Sequence, residues 1–318
     1  MSNDVIVVGG GVIGLTTAIV LAESGRQVSV WSRDPAEETT SAVAGGLWWP
    51  YRIEPTAAVG DWSVRSFAIL AELAERPAET GVRMVDGTQA GIGMADLGPW
   101  AAELPGLRPA GAGELPDGSS VGLRARTPLL DMPSHLGYLL RRLEAAGGTV
   151  ERRTLTSLAE AHAAAPSVVN CSGLGARELV PDPEVHPVQG QLVVVENPGI
   201  DEWFVSADHA SADTVYVLPQ PYGVVLGGTA RENVWGLEPD PAVAELIIAR
   251  CARVHPELAK ARVLAHRVGL RPARRAVRLG AERLPDGSLR VHNYGHGGAG
   301  VTVAWGCAQD AAELVGRS

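Results

Sequence analysis

Residues 5–15 read VIVVGGGVIGL, so four β-branched residues lead directly into the pattern Gly-x-Gly-x-x-Gly. Apolar residues then recur at helical spacing, which predicts a strand, a tight turn and a helix. In this arrangement Gly9 permits the turn, Gly11 lets a pyrophosphate approach the backbone, and Gly14 lets the helix pack on the strand. The helix N-terminus offers free N–H groups and a positive dipole end to phosphates. The stretch therefore predicts a dinucleotide-binding site.

The next predicted strand, residues 27–31, carries an ambiguous signal about which dinucleotide binds. An acid that holds the ribose hydroxyls is expected about 20 residues past the glycines. Asp34 is the only nearby acid, and it comes one or two positions late. Arg33 would instead suit the 2′-phosphate of NADP. This spacing leaves the identity of the dinucleotide open.

Composition limits the class of protein. The chain has 318 residues, 46% hydrophobic and 20% charged, which suits one large or two medium globular domains. A net charge of −9 argues against a nucleic acid or an anionic membrane surface as a partner. Three widely spaced cysteines fit a reducing compartment and offer no metal site. With no secretory signal, no apolar run of ~18 residues and no peroxisomal terminus, we expect a cytoplasmic protein.

The order of predicted elements indicates an interrupted nucleotide-binding domain. Helices are expected over 62–80, 132–146 and 241–253, and a long helix from 301. Strands at 149–152 and 167–176 follow the second of these helices and resume the parallel pattern. Alternating strands and turns over 185–235 predict a mostly antiparallel sheet. We therefore predict an α/β fold with a discontinuous Rossmann-type domain and a second, mostly antiparallel β-sheet domain that binds substrate.

Residues 268–279, VGLRPARRAVRL, contain four arginines in an acidic chain. Pro272 biases Arg271 toward an extended conformation, and apolar neighbours make a half-buried guanidinium plausible. A guanidinium can bind a carboxylate through two parallel hydrogen bonds, so Arg271 could clamp an acidic substrate. A solvated basic edge is the alternative. We leave both open for Arg271 and favour the solvated edge for Arg274, Arg275 and Arg278.

Residues 291–302, VHNYGHGGAGVT, predict a strand that breaks into a glycine loop before a helix. The N-terminus of that helix would favour negative charge, such as that on the N1–C2=O edge of a reduced flavin. His292 and His296 have no cysteine or carboxylate at ligand spacing, so structural roles are favoured over a metal site. Residues 38–51, ETTSAVAGGLWWPY, place hydroxyls and glycines before two tryptophans. That loop could line a cofactor or bury its tryptophans in the core.

Four segments together carry a family resemblance: residues 8–15, 44–51, 269–274 and 292–302, the last extended by 305–308. Through them the chain resembles the D-amino-acid oxidases and D-aspartate oxidases, FAD enzymes of the glycine-oxidase-like group. The resemblance spans nearly the whole sequence, and it implies FAD rather than NAD(P), bound between the two domains. We expect an FAD-binding domain of residues 1–50, 130–180 and 290–318, and a substrate-binding domain of residues 51–129 and 181–289.

The resemblance also implies roles for individual residues. In the substrate site Arg271 would clamp the carboxylate, Tyr216 would also reach it, the Gly298 carbonyl would accept from the amine, and Trp49 would narrow the pocket. The implied FAD-binding positions are Gly9, Gly11, Val12, Ile13, Gly14, Arg33, Asp34, Thr39, Thr40, Ser41, Gly45, Gly46, Leu47, Leu155, Arg271, Gly297, Gly298, Gly300, Val301 and Thr302. Arg33 and Asp34 stand in the reverse of the family's usual acid-then-base order.

The activity implied by the resemblance is FAD-dependent oxidative deamination of D-amino acids. Hydride transfer from Cα to flavin N5 would lead to a 2-oxo acid and ammonia, while molecular oxygen would be reduced to hydrogen peroxide. Neutral or apolar D-amino acids are the expected substrates. The alternatives are a D-aspartate oxidase, which Arg231 would favour, a glycine oxidase, and a flavin-free NADP-binding protein. Ala212 replaces a tyrosine frequent in the family and would alter any lid. A homodimer is one open alternative for the quaternary state.

Overall fold

The computed structural model describes residues 4–50, 53–207 and 213–317. Its strands are β1 (Val5–Val8), β2 (Val28–Ser32), β3 (Val82–Ala90), β4 (Arg108–Pro109), β5 (Gly122–Leu130), β6 (Thr149–Arg152), β7 (Ser167–Asn170), β8 (His186–Val195), β9 (Trp203–Ala207), β10 (Asp213–Gln220), β11 (Gly223–Thr229), β12 (Arg231–Glu232), β13 (Val263–Arg283) and β14 (Leu289–His296). Its helices are α1 (Val12–Glu23), α2 (Thr40–Val43), α3 (Thr56–Leu73), α4 (Pro77–Thr80), α5 (Met132–Ala145), α6 (Ala159–His162), α7 (Ala176–Leu179), α8 (Pro241–Cys251) and α9 (Gly300–Gly316). Single 3-10 turns occupy Ala36–Glu38, Met94–Asp96, Pro99–Glu103, Ala112–Glu114, Gly173–Gly175 and Pro256–Lys260.

The strands join into one continuous sheet with a parallel half and a mostly antiparallel half. The order is β4-β5-β3-β9-β10-β11-β8-β13-β14-β7-β1-β2-β6, with β12 added to β8. Strands β14, β7, β1, β2 and β6 pair in parallel. In the other half the pairs are antiparallel, except for β3 with β9. The predicted α/β fold with a mostly antiparallel second part is therefore confirmed.

Helices cover the parallel half, so its central strands are buried along their whole length. All residues of β1 and β2 are buried, as expected for parallel strands covered on both faces. Helix α1 packs against α5 and α9. Helix α9 also contacts α3 so closely that a Cβ on Gly306 would overlap the backbone of Trp62. These contacts fix the N-termini of α1 and α9 at the same side of the sheet.

A separate apolar core stabilises the antiparallel half. Helix α8 lies on β8, β10 and β11, and Ile247 packs there with Val193, Val224 and Leu226. All four residues are fully or almost fully buried. This core packs against both β8 and β11, the strands that carry Gly190 and Thr229 of the site described below.

Several element boundaries differ from the sequence predictions. The helix predicted over 62–80 is α3, which begins at Thr56 and ends at Leu73, followed by the separate turn α4. Pro77 explains the break, because a proline disfavours helical geometry at the residue before it, and Arg76 has φ −126° and ψ 60°. The strand predicted over 167–176 ends at Asn170 and gives way to a 3-10 turn. In the part of the chain that the structure describes, no helix has the length and apolarity needed to cross a bilayer.

Candidate active site

The glycine loop joins β1 to α1 as predicted, and two of its glycines are required by close packing. Gly9 has φ +115°, a conformation that favours glycine. A Cβ on Gly14 would overlap the carbonyl oxygen of Gly9, so only glycine lets α1 approach the end of β1 this closely. The turn and the helix therefore depend on each other through these two positions.

The N-terminus of α1 suits an anionic group. Gly11 is the N-cap residue, and the first turn carries no acidic side chain to oppose the positive end of the dipole. The Val12 N–H donates to Ser41 Oγ at 3.0 Å. A Cβ on Gly11 would lie 3.0 Å from Ser41 Oγ and 3.9 Å from Thr39 Oγ1. Hydroxyls thus surround backbone N–H groups at this terminus, a donor set that fits the pyrophosphate of a dinucleotide.

The end of β2 is tied to the same loop. Ser32 Oγ accepts from the Gly10 N–H at 3.1 Å and donates to the Asp34 carbonyl at 2.7 Å. Arg33 and Asp34 form an ion pair with each other at 2.8 Å, and this hydrogen bond raises the pKa of Arg33. The reversed order of base and acid thus leaves the two side chains paired at the surface, close to the glycine loop.

The loop that contains α2 connects the glycine loop to β13. Thr40 Oγ1 donates to the Leu270 carbonyl at 3.0 Å, and a Cβ on Gly269 would lie 3.2 Å from Val43 Cγ1. Gly46 has φ +83° and packs on the Leu130 carbonyl, while Leu47 bridges to Leu129. Residues 39–47 therefore lie between the glycine loop at the start of α1 and β13, the strand that carries Arg271.

Arg271 extends from β13 across β8. Its Nη1 donates to the Thr229 carbonyl at 3.0 Å, and its guanidinium occupies the space that a Cβ on Gly190 would fill. Among the described residues no carboxylate forms an ion pair with Arg271. Gly298 lies against its side chain, where a Cβ would be 3.4 Å from Arg271 Cδ. A half-buried cation that no carboxylate of the described residues neutralises is thus brought next to the loop that begins α9.

Tyr216 of β10 completes this group. Its phenol ring lies over Gly227 and Gly228, where side chains would overlap it, and a Cβ on Gly45 would lie 3.8 Å from Tyr216 Cε2. Burial raises the pKa of Tyr216 above its ordinary value of 10, although Arg271 acts to lower it through its charge and a hydrogen bond. The hydroxyl is therefore protonated, and able to donate, at neutral pH.

The glycine-rich segment before α9 meets the N-terminus of α1. Gly297 has φ +54°, and a Cβ on Gly300 would lie 3.9 Å from Ile13 Cδ1. Neither helix has an acidic residue in its first turn. Val301 is half-buried, and Thr302 is buried. Two positive helix ends therefore point toward one region of the sheet edge.

Two of the proposed contact residues have other partners in the fold. Thr302 Oγ1 donates to the Trp49 carbonyl at 3.1 Å and accepts from the Trp49 N–H at 3.3 Å, so that its hydroxyl is already used. Trp49 is 7% exposed, and its ring packs edge-on against Trp100 and at a tilt against Trp203. The tryptophan rings of this loop are therefore buried in the core, which was one of the two alternatives that the sequence left open. Leu155 packs in the cluster that contains Trp31.

The solvated basic edge predicted for Arg274 and Arg278 is wrong. Arg274 Nε lies 3.0 Å from Asp182 Oδ2, and Arg278 donates to the Tyr294 hydroxyl at 2.7 Å. Tyr294 in turn donates to Asp182 at 2.8 Å. Asp182 lies in the segment after α7, 92 residues before Arg274, so nothing near the arginines in sequence indicates it. Arg275 is exposed, as predicted.

The histidines of β14 have structural surroundings. His292 Nε2 lies 3.1 Å from Glu282 Oε1, and burial lowers the pKa of His292. His296 is buried, which lowers its pKa to about 3. Within the described ranges, no three His, Cys, Asp or Glu side chains are grouped so that they could hold a metal ion. Ala212, where an altered lid was expected, lies outside the described residues.

Sequence reasoning missed the residues that support Arg271 and Tyr216. These are Gly190, the pair Gly227 and Gly228, and Thr229. Glycines inside strands are an available signal, because they mark places where another group approaches the backbone closely. Thr229 carries no such signal.

Known proteins of similar sequence and fold show which family the chain belongs to. The model of the FAD dependent oxidoreductase family matches residues 4–314. A D-amino-acid oxidase of Streptomyces coelicolor is 64% identical over 98% of this chain and 96% of its own length, and one of Rubrobacter xylanophilus is 49% identical over the same shares. The crystal structure of glycine oxidase from Geobacillus kaustophilus superposes with a TM-score of 0.82 at 20% identity, covering 99% of this chain and 95% of that one, so the two share the fold. The chain therefore belongs to the D-amino-acid oxidase family of FAD-dependent oxidoreductases.

Proposed function

We propose that this protein catalyses the oxidative deamination of neutral or apolar D-amino acids, using FAD and molecular oxygen. The observation that carries the proposal is the Arg271 guanidinium, which lies between Tyr216 and Gly298 with no carboxylate partner among the described residues. An arginine with unused donors beside a protonated phenol is a suitable receptor for a substrate carboxylate.

Three residues of the chain would bind and orient the substrate. Arg271 would hold the carboxylate through paired hydrogen bonds, with Tyr216 donating to the same group. The Gly298 carbonyl would accept from the amine. Fixing both ends of an amino acid determines the direction of its α-hydrogen, so the contribution of the protein is orientation rather than acid–base chemistry.

The cofactor would lie along the edge where the two helix N-termini meet. The loop from Gly9 to Gly14, with the hydroxyls of residues 39–41, would hold the pyrophosphate, and the α9 N-terminus would face the flavin ring. The chemistry that bound FAD would supply is acceptance of the hydride and transfer of the electrons to oxygen. We propose the same division as the sequence predicts: residues 1–50, 130–180 and 290–318 bind FAD, and residues 51–129 and 181–289 bind substrate.

The preference for apolar side chains is supported by the surroundings of Tyr216. Leu218 lies on the same strand face and packs on Gly45. D-Aspartate is the second candidate, because Arg231 is exposed only two residues past Thr229 and has no ion-pair partner in the described part of the chain. Turnover of D-valine, D-aspartate and glycine by the same preparation distinguishes the three substrates. Faster turnover of D-aspartate, lost in Arg231→Ala, would overturn the apolar preference.

A cytoplasmic location is a further part of this proposal, and a homodimer is one alternative for the quaternary state. The support for a reducing compartment is that Cys171, Cys251 and Cys307 are all buried as free thiols. Fractionation of the producing cells tests the location, and sedimentation of the purified holoenzyme at several concentrations tests the dimer.

The decisive experiment mixes the purified protein with D-valine and, separately, with L-valine without oxygen. We expect the visible flavin band to bleach with the D-enantiomer only. Arg271→Ala should raise the substrate concentration needed for bleaching about a hundredfold, and Arg271→Lys should fall between the two. Arg275→Ala is the matched control, since Arg275 is an exposed arginine of the same strand. A protein that holds no flavin, or whose flavin stays oxidised with every D-amino acid, would overturn the proposal.

A further inference from the structure

Thr229 occupies the gap between two strand ladders next to Arg271. The pairing of β11 with β8 runs from Val224 opposite Val195 to Gly227 opposite Leu192, and β12 resumes pairing with β8 at Arg231 opposite Gln189. Between these ladders the Gln191 N–H donates to Thr229 Oγ1 at 3.0 Å. A side-chain oxygen thus satisfies a buried backbone donor of β8, since Thr229 is 5% exposed and Gln191 is 4% exposed.

The same threonine also contacts the substrate clamp. Its carbonyl accepts from Arg271 Nη1 at 3.0 Å. The peptide that carries the Gln191 N–H is the peptide that follows Gly190, and the Arg271 guanidinium lies on Gly190. The Thr229 hydroxyl therefore binds the peptide on which the guanidinium lies. The Thr229 carbonyl accepts a hydrogen bond from the guanidinium itself.

We propose that Thr229 is a positioning residue for the carboxylate clamp. One guanidinium N–H is committed to the Thr229 carbonyl and another bonds to Tyr216, while the peptide at residues 190–191 supports the plane of the guanidinium, so its orientation toward the substrate carboxylate is fixed. Removal of the hydroxyl leaves the Gln191 N–H without its acceptor and lets both the peptide and the guanidinium shift. This inference rests on the proposed function, in which Arg271 binds the substrate carboxylate.

A positioning role makes a specific kinetic prediction. Because Tyr216 and the Gly298 carbonyl would still orient the substrate once it is bound, a loosened clamp should raise KM and leave kcat nearly unchanged. For Thr229→Val we expect KM for D-valine to rise about tenfold, as the loss of one buried hydrogen bond implies, with kcat within about twofold. The Kd of 3-methylbutanoate, the amine-free analogue of D-valine, should rise by the same factor.

Two variants separate positioning from mere structural support. Thr229→Ser keeps the hydroxyl and should restore wild-type KM, while Thr229→Cys supplies a weaker acceptor and should fall between serine and valine. Thr127→Val is the matched control, because Thr127 is also a fully buried strand threonine but its Oγ1 has no hydrogen-bond partner among the described residues. That variant should keep wild-type KM and melting temperature.

The outcomes can be distinguished from a failure of the proposed function. Wild-type protein is first tested for bleaching of its flavin by D-valine, and failure at that step refutes only the proposed function. The Kd of 3-methylbutanoate in wild type and in Thr229→Val still tests the role of Thr229. If Thr229→Val does not fold, the comparison of Thr229→Cys with Thr229→Ser decides. A Thr229→Val protein with unchanged KM and Kd, or a Thr229→Ser protein as impaired as Thr229→Val, would overturn the inference.

Discussion

Gly190 lies directly beneath the guanidinium of Arg271, so closely that a Cβ at residue 190 would overlap Cζ and both terminal nitrogens. Across the ladder Gly190 pairs with Gly269, on which Val43 and Thr40 pack. Two facing glycines therefore leave room on one face of the sheet for the loop of residues 39–47 and for the arginine together.

We expect Gly190→Ala to displace Arg271 without unfolding the protein. The overlapping atoms belong to the far end of a flexible side chain, so the arginine moves while the backbone stays in place. KM for D-valine should rise at least about tenfold, since the paired hydrogen bonds to the carboxylate depend on orientation. Gly280→Ala is the matched control, because nothing lies near its Cβ position on β13. Equal KM values for the two variants would contradict the assignment of Arg271 as the clamp.

The second prediction concerns Gly14, where the overlap is with backbone. Gly14→Ala would bring a Cβ onto the Gly9 carbonyl, and neither strand β1 nor helix α1 can yield without losing core contacts. We expect the purified variant to hold little FAD and to melt several degrees lower. Gly60→Ala in α3 has an ordinary contact at 3.8 Å and should be neutral or stabilising by up to ~1 kcal/mol. Absorbance per protein and thermal unfolding measure both, and normal flavin content in Gly14→Ala would count against the glycine loop as the cofactor cradle.

The third prediction is an acid-dependent loss of stability from His135. Burial lowers the pKa of His135 to about 4, and its Nδ1 contacts the Thr80 carbonyl at 2.8 Å. In the unfolded chain His135 binds a proton near pH 6.5, whereas in the folded chain it does so only near pH 4. The free energy of unfolding therefore falls as the pH decreases from 6.5 to 4. The contribution is on the order of 3 kcal/mol.

Urea unfolding at pH 7, 5.5 and 4.5 measures that contribution. His135→Asn can still donate to Thr80 but cannot titrate, so its stability should decline less steeply with acid than that of the wild type. His266→Asn is the control, because His266 is exposed. Parallel curves for wild type and His135→Asn would show that His135 is not a source of the pH dependence.

The fourth prediction concerns the buried carboxylate of Asp182. Burial acts to raise the pKa of Asp182, but hydrogen bonds from Tyr294 and Arg274 outweigh it and lower the pKa below 3.8. The stabilisation is therefore present above that pH and is lost as the pH falls through the folded-state pKa. Asp182→Ala should destabilise the protein by about 3 kcal/mol, because it leaves two guanidinium groups and a phenol without their shared partner.

A surface ion pair provides the comparison for Asp182. Asp86 lies 3.7 Å from Arg126, and both side chains are more than half exposed. Asp86→Ala should cost less than ~1 kcal/mol in the same urea titration. Similar losses in the two variants would show that the Asp182 cluster contributes no more than an exposed pair.

Features that depend on near neighbours in the chain were predictable from the sequence. The glycine loop and the two parallel strands beside it follow from β-branched runs and glycine spacing, and the structure has them at β1, α1 and β2. Arg271 could be singled out because of its local setting, an extended arginine before a proline. Errors arose where the local pattern is weak: α3 begins six residues earlier than its periodicity suggests, since residues 54–57 are exposed.

The sequence by itself thus determined the family and the strand, glycine loop and helix at β1, α1 and β2, and it singled out Arg271 as the proposed clamp, because each of these rests on motifs of a few consecutive residues. Only the tertiary structure decided what surrounds that arginine. Gly190 lies against Arg271 because β8 pairs with β13, Thr229 is hydrogen-bonded to Arg271 across 42 residues of chain, and Asp182 pairs with Arg274 across 92. Hydrogen bonds and ion pairs of this kind depend on distance in space, which no local pattern of residue types records.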